Sequence, residues 1–399
     1  LAVIFFVFAA IAVPTFNYID KKIEFKAFLK QRFTYTKIYD EKYVDPKTAT
    51  IEAPKKKRNV IVLYLESLET TYASKELGGY QEKNLIPGLT KIAKENVSFT
   101  DREKGKLGGT HNPTGTTWTT GSVLASSSGV PFSFRIGKNK KEGAEADETF
   151  ANGLYTLGDF LDKEGYKQVF MCGSDATFGR KKAYYTTHGD FEIDDYYYAI
   201  SEGYIDKDYH VWWGLEDLKL YKMAKDRLTE LSKSSKPFNF TLLTVDTHHV
   251  GGYKCSACKP SPYGDTASVI ECADRQATDF INWCKKQDFY KNTTIIVMGD
   301  HPRMDTNLVK DAELYEREAY DCILNPAVST KGLNEKRLAT TMDMLPTTLA
   351  AMGYKIDGER LGLGTNLFSD KKTLAEEMGY DKFDDQLGRS SKYYLKNFE

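Results

Sequence analysis

The chain of 399 residues has almost no net charge, because 55 lysine and arginine residues balance 56 aspartate and glutamate residues. Such a balance provides no global electrostatic field that favours a nucleic acid, so no nucleic-acid partner is expected. A repeat of fixed period is also absent from the sequence. The length suits one large α/β domain or two ordinary domains.

A hydrophobic run long enough to cross a bilayer is missing as well. Residues 1–13 are apolar, but a membrane-spanning helix needs roughly 20 residues. The run has neither an initiator methionine nor a basic leader, which argues against a signal peptide. We interpret residues 1–19 as the remnant of a transmembrane helix, with a buried helix of the soluble domain as the alternative. Residues 20–58, which end in a basic run, are expected to form a juxtamembrane linker.

Cysteine is scarce, with six residues in the chain. Cys255 and Cys258 could form half of a zinc site, but no second CxxC pair follows to complete the ligand set. A thioredoxin-like motif is not expected, because this pair lies in a stretch rich in Gly, Pro and Lys rather than at a helix start. In an extracytoplasmic domain we expect a disulfide from Cys255 or Cys258 to Cys272, which would tie the loop to the following helix.

Short apolar runs rich in β-branched and aromatic residues alternate with stretches of helical periodicity. The runs predict buried parallel strands at residues 59–65, 166–172, 238–246 and 293–299. Helices are predicted at residues 86–95, 154–163, 215–232, 272–286 and 338–352. This alternation predicts an α/β fold with a mostly parallel sheet sandwiched by helices. We assign this domain to residues 59–370 and a charged C-terminal tail to residues 371–399.

Two of the predicted strands end on side chains that can bind metals. Glu66 follows the first strand, and Asp300 and His301 follow the last one. Because ligands collect at the carboxyl edge of such sheets, these three side chains are expected to share a metal site. Carboxylate oxygen and imidazole nitrogen suit a borderline divalent ion such as Zn²⁺ or Mn²⁺. Residues 246–249 and 173–180 should lie at the same edge.

A further candidate feature is a Gly-Thr turn, within residues 115–120, that opens a helix of small residues. Backbone N–H groups and the dipole at a helix N-terminus attract a phosphate and stabilise alkoxide character on a hydroxyl. A neighbouring metal ion would lower the pKa of that hydroxyl further. The alternative is that Thr116 or Thr119 is simply an N-cap.

These residues carry a resemblance to a known family. Glu66, the Gly-Thr helix opening, Asp-Thr-His-His at 246–249 and Gly-Asp-His at 299–301 look like the alkaline phosphatase/sulfatase superfamily. Over residues 57–370 the sequence most resembles the branch of lipoteichoic acid synthases and phosphoglycerol transferases, in particular the phosphoglycerol transferases of membrane-derived oligosaccharides. The resemblance implies an alkaline-phosphatase-like fold, and a preceding transmembrane segment fits this branch.

The resemblance also implies a metal centre with a threonine nucleophile. One ion would be held there, Mn²⁺ first of all, with Zn²⁺ or Mg²⁺ as alternatives. Its ligands would be Glu66, Thr116, Asp300 and His301. Thr116, rather than Thr117 or Thr119, would be the nucleophile that becomes phospho-glycerylated.

Other residues are implied to bind substrate and move protons. Arg180 would grip the phosphate with its guanidinium fork, flanked by Phe178 and Trp118. His248 would act near the leaving or entering oxygen, with His249 as a substitute or partner. Asp246 would orient one of the two rings.

The implied activity is transfer of glycerol phosphate from phosphatidylglycerol to a cell-envelope glycan or glycerol-phosphate acceptor, through a phospho-threonine. The enzyme would be anchored in a bacterial membrane with its catalytic domain outside the cytoplasm. A phosphoethanolamine transferase or phosphodiesterase of the same superfamily is one alternative, and a noncatalytic extracytoplasmic domain is another. Sulfatase activity is disfavoured, since the helix opening lacks a Cys/Ser-x-Pro-x-Arg signature. Residues 250–252, Val-Gly-Gly, depart from the family pattern and leave acceptor recognition open.

Overall fold

The computed structural model describes residues 15, 33–133, 149–310, 312, 315 and 317–398. Its centre is a seven-stranded sheet. In chain order the strands are β1 (Asn59–Leu65), β2 (Gly109–Thr110), β3 (Lys167–Cys172), β4 (Glu192–Asp194), β5 (Phe238–Leu243), β6 (Thr293–Gly299) and β7 (Ala319–Leu324). Two small antiparallel sheets pair Ile51–Glu52 with Lys355–Ile356 and Arg360–Leu361 with Gly364–Thr365.

The spatial order of the strands is β2-β7-β6-β1-β5-β3-β4. The five strands from β6 to β4 are parallel. Strand β7 pairs antiparallel with β6, and β2 pairs antiparallel with β7. The ends of β1, β3, β5 and β6 therefore meet at one edge. This edge is where an open α/β sheet binds its ligands.

Helices cover both faces of the sheet. They are α1 (Ile38–Lys42), α2 (Pro87–Glu95), α3 (Thr119–Ser128), α4 (Leu157–Lys163), α5 (Lys181–Thr187), α6 (Tyr196–Ser201), α7 (Asp217–Leu231), α8 (Asp265–Lys285), α9 (Met344–Ala351), α10 (Leu374–Met378), α11 (Tyr380–Gly388) and α12 (Lys392–Asn397). Alternate side chains of β1 enter opposite cores: Val60 and Val62 pack with α3, α4 and α9, and Ile61 and Leu63 pack with α2, α7 and α8.

The predicted α/β class and the four predicted strands are confirmed, with boundaries shifted by a few residues. Two helices differ more. Helix α8 begins at Asp265 rather than at residue 272. Helix α9 begins at Met344 rather than at residue 338, because Thr340 and Asp343 form a capping box around an intervening 3₁₀ turn.

The two ends of the described chain pack against each other. Residues 371–399 were predicted as a charged tail, but they contain the three helices α10 to α12. These helices bury Phe383, Leu387 and Tyr394 in the core that also contains Val60 and Val62. In the predicted linker 20–58, Tyr39 of α1 is buried against Tyr394. The predicted transmembrane remnant, residues 1–19, lies outside the described residues apart from Thr15. No helix among the described residues has the length and hydrophobicity to span a membrane.

Candidate active site

Strand register brings the first group of candidate residues together. Strands β1 and β6 are parallel neighbours, and Leu65 pairs with Gly299 at their last positions. Glu66 and Asp300 therefore leave the sheet side by side. Only glycine fits at position 299, because a Cβ atom there would lie 1.9 Å from the carbonyl oxygen of Leu68.

Glu66, Asp300 and His301 converge, and we refer to them as the edge trio. Their ligand atoms all lie within 4.8 Å of one another, and all three residues are buried. The Nε2 atom of His301 lies 3.4 Å from Asp300 Oδ2 and 3.8 Å from Glu66 Oε1. The three side chains predicted from the strand ends thus form one cluster.

Hydrogen bonds fix the orientation of each member of the edge trio. The Nδ1 atom of His301 lies 2.8 Å from the carbonyl oxygen of Pro302, so it carries the proton and leaves the Nε2 lone pair facing the carboxylates. Asp300 Oδ1 accepts the backbone N–H groups of Ser67 and His301 at 2.7 and 2.9 Å. Ser67 Oγ donates to Glu66 Oε1 at 2.7 Å.

The donor atoms of the edge trio fit a divalent cation. Asp300 Oδ2 is buried and accepts no hydrogen bond from the described residues. Burial and the neighbouring Glu66 raise the pKa of Asp300. Burial opposes the charge on His301, but Asp300 and Glu66 outweigh it and raise the pKa of that ring. Both shifts arise because negative charge is concentrated in a dry site, and a cation would relieve this repulsion.

The structure corrects the predicted register of the threonine. Thr116 is fully buried and lies in a turn, where its hydroxyl donates to the carbonyl oxygen of Pro113 at 2.8 Å. It is Thr119 that faces the edge trio, with Oγ1 at 3.3 Å from Glu66 Oε2 and 3.4 Å from His301 Nε2. The sequence offers several threonines in this stretch, and composition could not show that the helix starts three residues after Thr116.

Thr119 occupies the first position of helix α3. The preceding residue, Trp118, has an extended backbone and provides no side-chain cap to the first turn. Its ring packs against Phe132, with the ring centroids 4.8 Å apart. Helix α3 thus presents the N–H groups of its first turn beside the Thr119 hydroxyl, an arrangement that suits a phosphate.

The loop after β3 lies against the start of α3. The hydroxyl of Thr120 donates to the carbonyl oxygen of Gly179 at 2.8 Å. Arg180 is an exposed residue with a left-handed backbone, φ of 60°, and its guanidinium carbon lies 5.2 Å from the Phe150 ring centroid. Lys181, the first residue of α5, is buried next to this loop, and its ammonium donates to the carbonyl oxygen of Phe178. Burial lowers the pKa of Lys181, while Glu66 acts in the opposite sense.

His248 and His249 line the other side of the edge. Their rings stack with centroids 4.6 Å apart, and His248 Nδ1 bonds to the carbonyl oxygen of His249 at 2.7 Å. Burial, reinforced by His248, lowers the pKa of His249. The His248 ring also contacts Trp213, which in turn contacts Phe178, so aromatic side chains connect the histidines to the loop after β3.

Asp246, predicted to orient a histidine ring, forms no hydrogen bond to the ring of His248 or His249 among the described residues. One of its carboxylate oxygens accepts the backbone N–H of Asp217 at 3.2 Å, and the carboxylate of Asp217 accepts the N–H groups of Val245 and Asp246. This pair anchors the start of α7 to the end of β5. Sequence reasoning also missed Trp213 and Lys181, and no spacing pattern marks either residue.

An α/β sheet whose carboxyl edge gathers acids, a histidine and a helix-terminal hydroxyl defines the class of the protein as an alkaline-phosphatase-like fold. A protein of the alkaline phosphatase superfamily from Vibrio parahaemolyticus superposes with a TM-score of 0.63 at 22% identity, over 88% of this chain and 80% of that one. Lipoteichoic acid synthase LtaP of Listeria monocytogenes gives 0.59 at 18% identity, over 81% and 79%.

The Sulfatase family model matches residues 58–354, and the chain belongs to this family. Phosphoglycerol transferase I of Xanthomonas axonopodis pv. citri is 29% identical over 311 residues, which cover 75% of this chain and 42% of the relative. The chain thus spans less than half of the length of such curated relatives. The resemblance seen in the sequence is confirmed at the level of the superfamily.

Proposed function

We propose that the chain is the catalytic part of a metal-dependent phosphoglycerol transferase that works through a covalent phospho-threonine at Thr119. The observation that carries this proposal is the position of the Thr119 hydroxyl, which lies at a helix N-terminus and within 3.4 Å of both Glu66 and His301. A hydroxyl in that position can lose its proton to the site and attack a phosphorus atom bound at the helix end.

The edge trio and Thr119 would hold one divalent ion, for which Mn²⁺ is the first candidate and Zn²⁺ or Mg²⁺ the alternatives. When bound, the ion supplies positive charge that lowers the pKa of the attacking hydroxyl and offsets the charge of the phosphoryl oxygens. Asp300 Oδ2, which has no hydrogen-bond partner among the described residues, and His301 Nε2 would be two of the ligands of this ion.

The proposed reaction consists of two displacements at phosphorus. Thr119 Oγ1 forms a bond to the phosphorus of the donor lipid, and the bond from phosphorus to the diacylglycerol oxygen breaks. A histidine of the pair 248–249 protonates that leaving oxygen. The same histidine then takes the proton of an acceptor hydroxyl, which attacks phosphorus and releases Thr119.

Charge and packing assign the remaining roles. Lys181, through its charge, and the N–H groups of α3 would stabilise the phosphoryl oxygens, and Arg180 at the exposed rim would bind the incoming phosphate. Phe178, Trp213 and Trp118 would contact the glycerol or lipid portions. The surface exposure of Phe178, 59%, suits a contact that forms only when substrate is present.

Phosphatidylglycerol is proposed as the donor, and a cell-envelope glycan or a glycerol-phosphate polymer as the acceptor. The curated relatives carry the name phosphoglycerol transferase, which supports this choice over phosphoethanolamine. A lipid donor also supports action at the outer side of a bacterial membrane, where an anchor would raise the effective donor concentration.

The test compares two isosteric variants, Thr119→Val and Thr116→Val. Thr119→Val should reduce release of diacylglycerol from phosphatidylglycerol by at least about 10³-fold, because the nucleophile is gone. Thr116→Val should retain most activity and lose about 1 kcal/mol of stability with its hydrogen bond to Pro113. Equal activity in Thr119→Val and wild type would refute the mechanism.

Donor choice and the covalent step need separate measurements. Vesicles that contain labelled phosphatidylglycerol should support transfer, and vesicles that contain labelled phosphatidylethanolamine should not. Mass spectrometry of protein quenched during turnover should find one glycerophosphoryl group on the peptide with Thr119. A modified Thr116 peptide, or faster reaction of phosphatidylethanolamine, would contradict the proposal.

A further inference from the structure

A second group of potential ligands lies beyond the loop that follows His249. Cys255, Cys258 and Cys272 come together there, with all three sulfur atoms within 4.8 Å of one another. The Sγ atom of Cys255 lies 3.7 Å from that of Cys258 and 3.9 Å from that of Cys272. We refer to these three residues as the thiol trio.

We propose that the thiol trio is a binding site for a thiophilic divalent cation, with Zn²⁺ as the best match. A Zn–S bond of about 2.3 Å and tetrahedral geometry place two sulfur ligands about 3.8 Å apart. Both separations from Cys255 agree with that value. Thiolate sulfur is a soft ligand that favours zinc. The carboxylates of the edge trio suit a harder cation.

The local backbone supports the assignment. Cys255 and Cys258 lie in a tight turn in which Cys258 N–H donates to the carbonyl oxygen of Cys255 at 3.1 Å. Such a CxxC turn directs both sulfur atoms to one point, and Cys272 reaches that point from α8.

A fourth coordination position is available next to the sulfur atoms. Gln276, one helical turn after Cys272, places Nε2 at 3.4 Å from the Cys272 sulfur and 3.7 Å from the Cys255 sulfur. Its Oε1 atom is buried and has no hydrogen-bond partner among the described residues. Rotation of the amide exchanges these two atoms, so Gln276 can donate to sulfur or offer an oxygen ligand. Cys258 is partly exposed, which gives an ion a route into the site.

The disulfide predicted from the sequence remains the competing state of these residues. A disulfide joins two of the three sulfur atoms and leaves the third as a thiol. The structure does not single out a pair, because Cys255 is almost equally far from both partners. One centre shared by three sulfur atoms accounts for this symmetry more simply than one bonded pair.

An ion at the thiol trio would control the shape of the region beside the active site. The loop from residue 250 to 264 begins directly after His249 and ends at the start of α8. Its first part is held by Tyr253, whose N–H donates to the carbonyl oxygen of Asp246 at 2.7 Å. An ion would fasten the second part to α8, so that the loop forms a fixed wall next to His248 and His249.

The experiment counts metal ions in the whole chain, purified anaerobically without chelator. After loading with Zn²⁺ and dialysis, wild type should retain one equivalent of zinc per chain at the thiol trio. Cys258→Ser and Cys272→Ser should each lack this equivalent. With Co²⁺ in place of Zn²⁺, wild type should show a sulfur-to-cobalt charge-transfer band that both variants lack. Cys284→Ala, which removes a cysteine of α8 outside the thiol trio, should keep the equivalent and the band.

The outcome is independent of the proposed transferase activity. Asp300→Asn should leave the thiolate equivalent and the cobalt band intact, because the edge trio is a separate site. Cys258→Ser changes a partly exposed residue, so its thermal unfolding should show whether it is folded. Protein alkylated at cell lysis that contains a disulfide within the trio, or a wild type without the cobalt band, would overturn the proposal.

Discussion

Two clusters in the molecule contain the same residue types and differ in one charged neighbour. The edge trio consists of Glu66, Asp300 and His301, and a second cluster consists of Asp101, His111 and Glu318. Both bring their ligand atoms within 4.8 Å. In the second cluster Arg102 Nε bonds to Glu318 Oε1 at 3.0 Å, so we refer to it as the Arg102 cluster. No lysine or arginine of the described chain forms an ion pair with Glu66 or Asp300.

The surroundings reinforce the difference. In the Arg102 cluster, Tyr315 donates to Asp101 Oδ2 at 2.8 Å, and its ring stacks on His111 with centroids 4.5 Å apart. The edge trio instead faces the hydroxyl of Thr119, a partly exposed residue. The comparison shows that residue type alone does not define a metal site. Arg102 offsets negative charge in its cluster and Tyr315 packs on that cluster, whereas no lysine or arginine of the described chain pairs with the carboxylates of the edge trio.

The largest effect should come from the same substitution in both clusters. Asp300→Asn should abolish binding of the active-site ion and reduce transfer by at least about 10³-fold, since the charge that stabilises the transition state is lost. Asp101→Asn should leave metal content and transfer within about twofold of wild type. Metal analysis and a transfer assay would measure the metal content and the activity of each variant. Equal losses in the two variants would show that the two clusters do not differ in metal binding.

A smaller effect should appear in stability. Arg102→Met removes the partner of a buried carboxylate and should cost about 3 kcal/mol in the free energy of unfolding. The double variant Arg102→Met/Glu318→Gln should recover much of this loss, because no unpaired charge remains. Urea denaturation would measure these values, and a double variant less stable than Arg102→Met would show that the ion pair is not the cause.

The smallest expected effect is a pH dependence of stability. Burial, partly offset by Arg102 and His111, raises the pKa of Glu318 to about 7 from an ordinary value of 4.5. Between these values the folded state binds a proton that the unfolded state lacks, so this contribution to stability falls as pH rises. From pH 5 to pH 8 wild type should lose about 2–3 kcal/mol relative to Glu318→Gln. An identical pH profile in both would contradict the shift.

The ends of the strands can be predicted from the sequence because a buried parallel strand has a distinct composition. The residue that directly follows such a strand must then lie at the carboxyl edge of the sheet. Glu66, Asp300 and His301 were found in this way. The threonine could not, since Thr116, Thr117 and Thr119 differ only in where α3 begins. That start depends on the turn at Pro113 and on Asn112, whose side-chain N–H groups donate to the carbonyl oxygens of Thr116 and Asp300.

Contacts made by side chains from different elements were also outside the reach of sequence. The pairing of Asp217 with Asp246 joins α7 to the end of β5, and nothing in the sequence marks Asp217 as the partner of Asp246. The aromatic contact of His248 with Trp213 connects two loops in the same way. Periodicity predicts which face of an element is buried, but it contains no information about which loops meet at the sheet edge.

The last helix has a consequence for biosynthesis. The hydroxyl of Tyr394 donates to the carbonyl oxygen of Pro131, across 263 positions of sequence, just beyond the end of α3. At about 5–20 residues per second, a ribosome needs on the order of ten to fifty seconds to produce the intervening chain. A nascent polypeptide therefore carries Thr119 and the whole of α3 long before this hydrogen bond can form, and the end of α3 gains this support only after α12 has been synthesised.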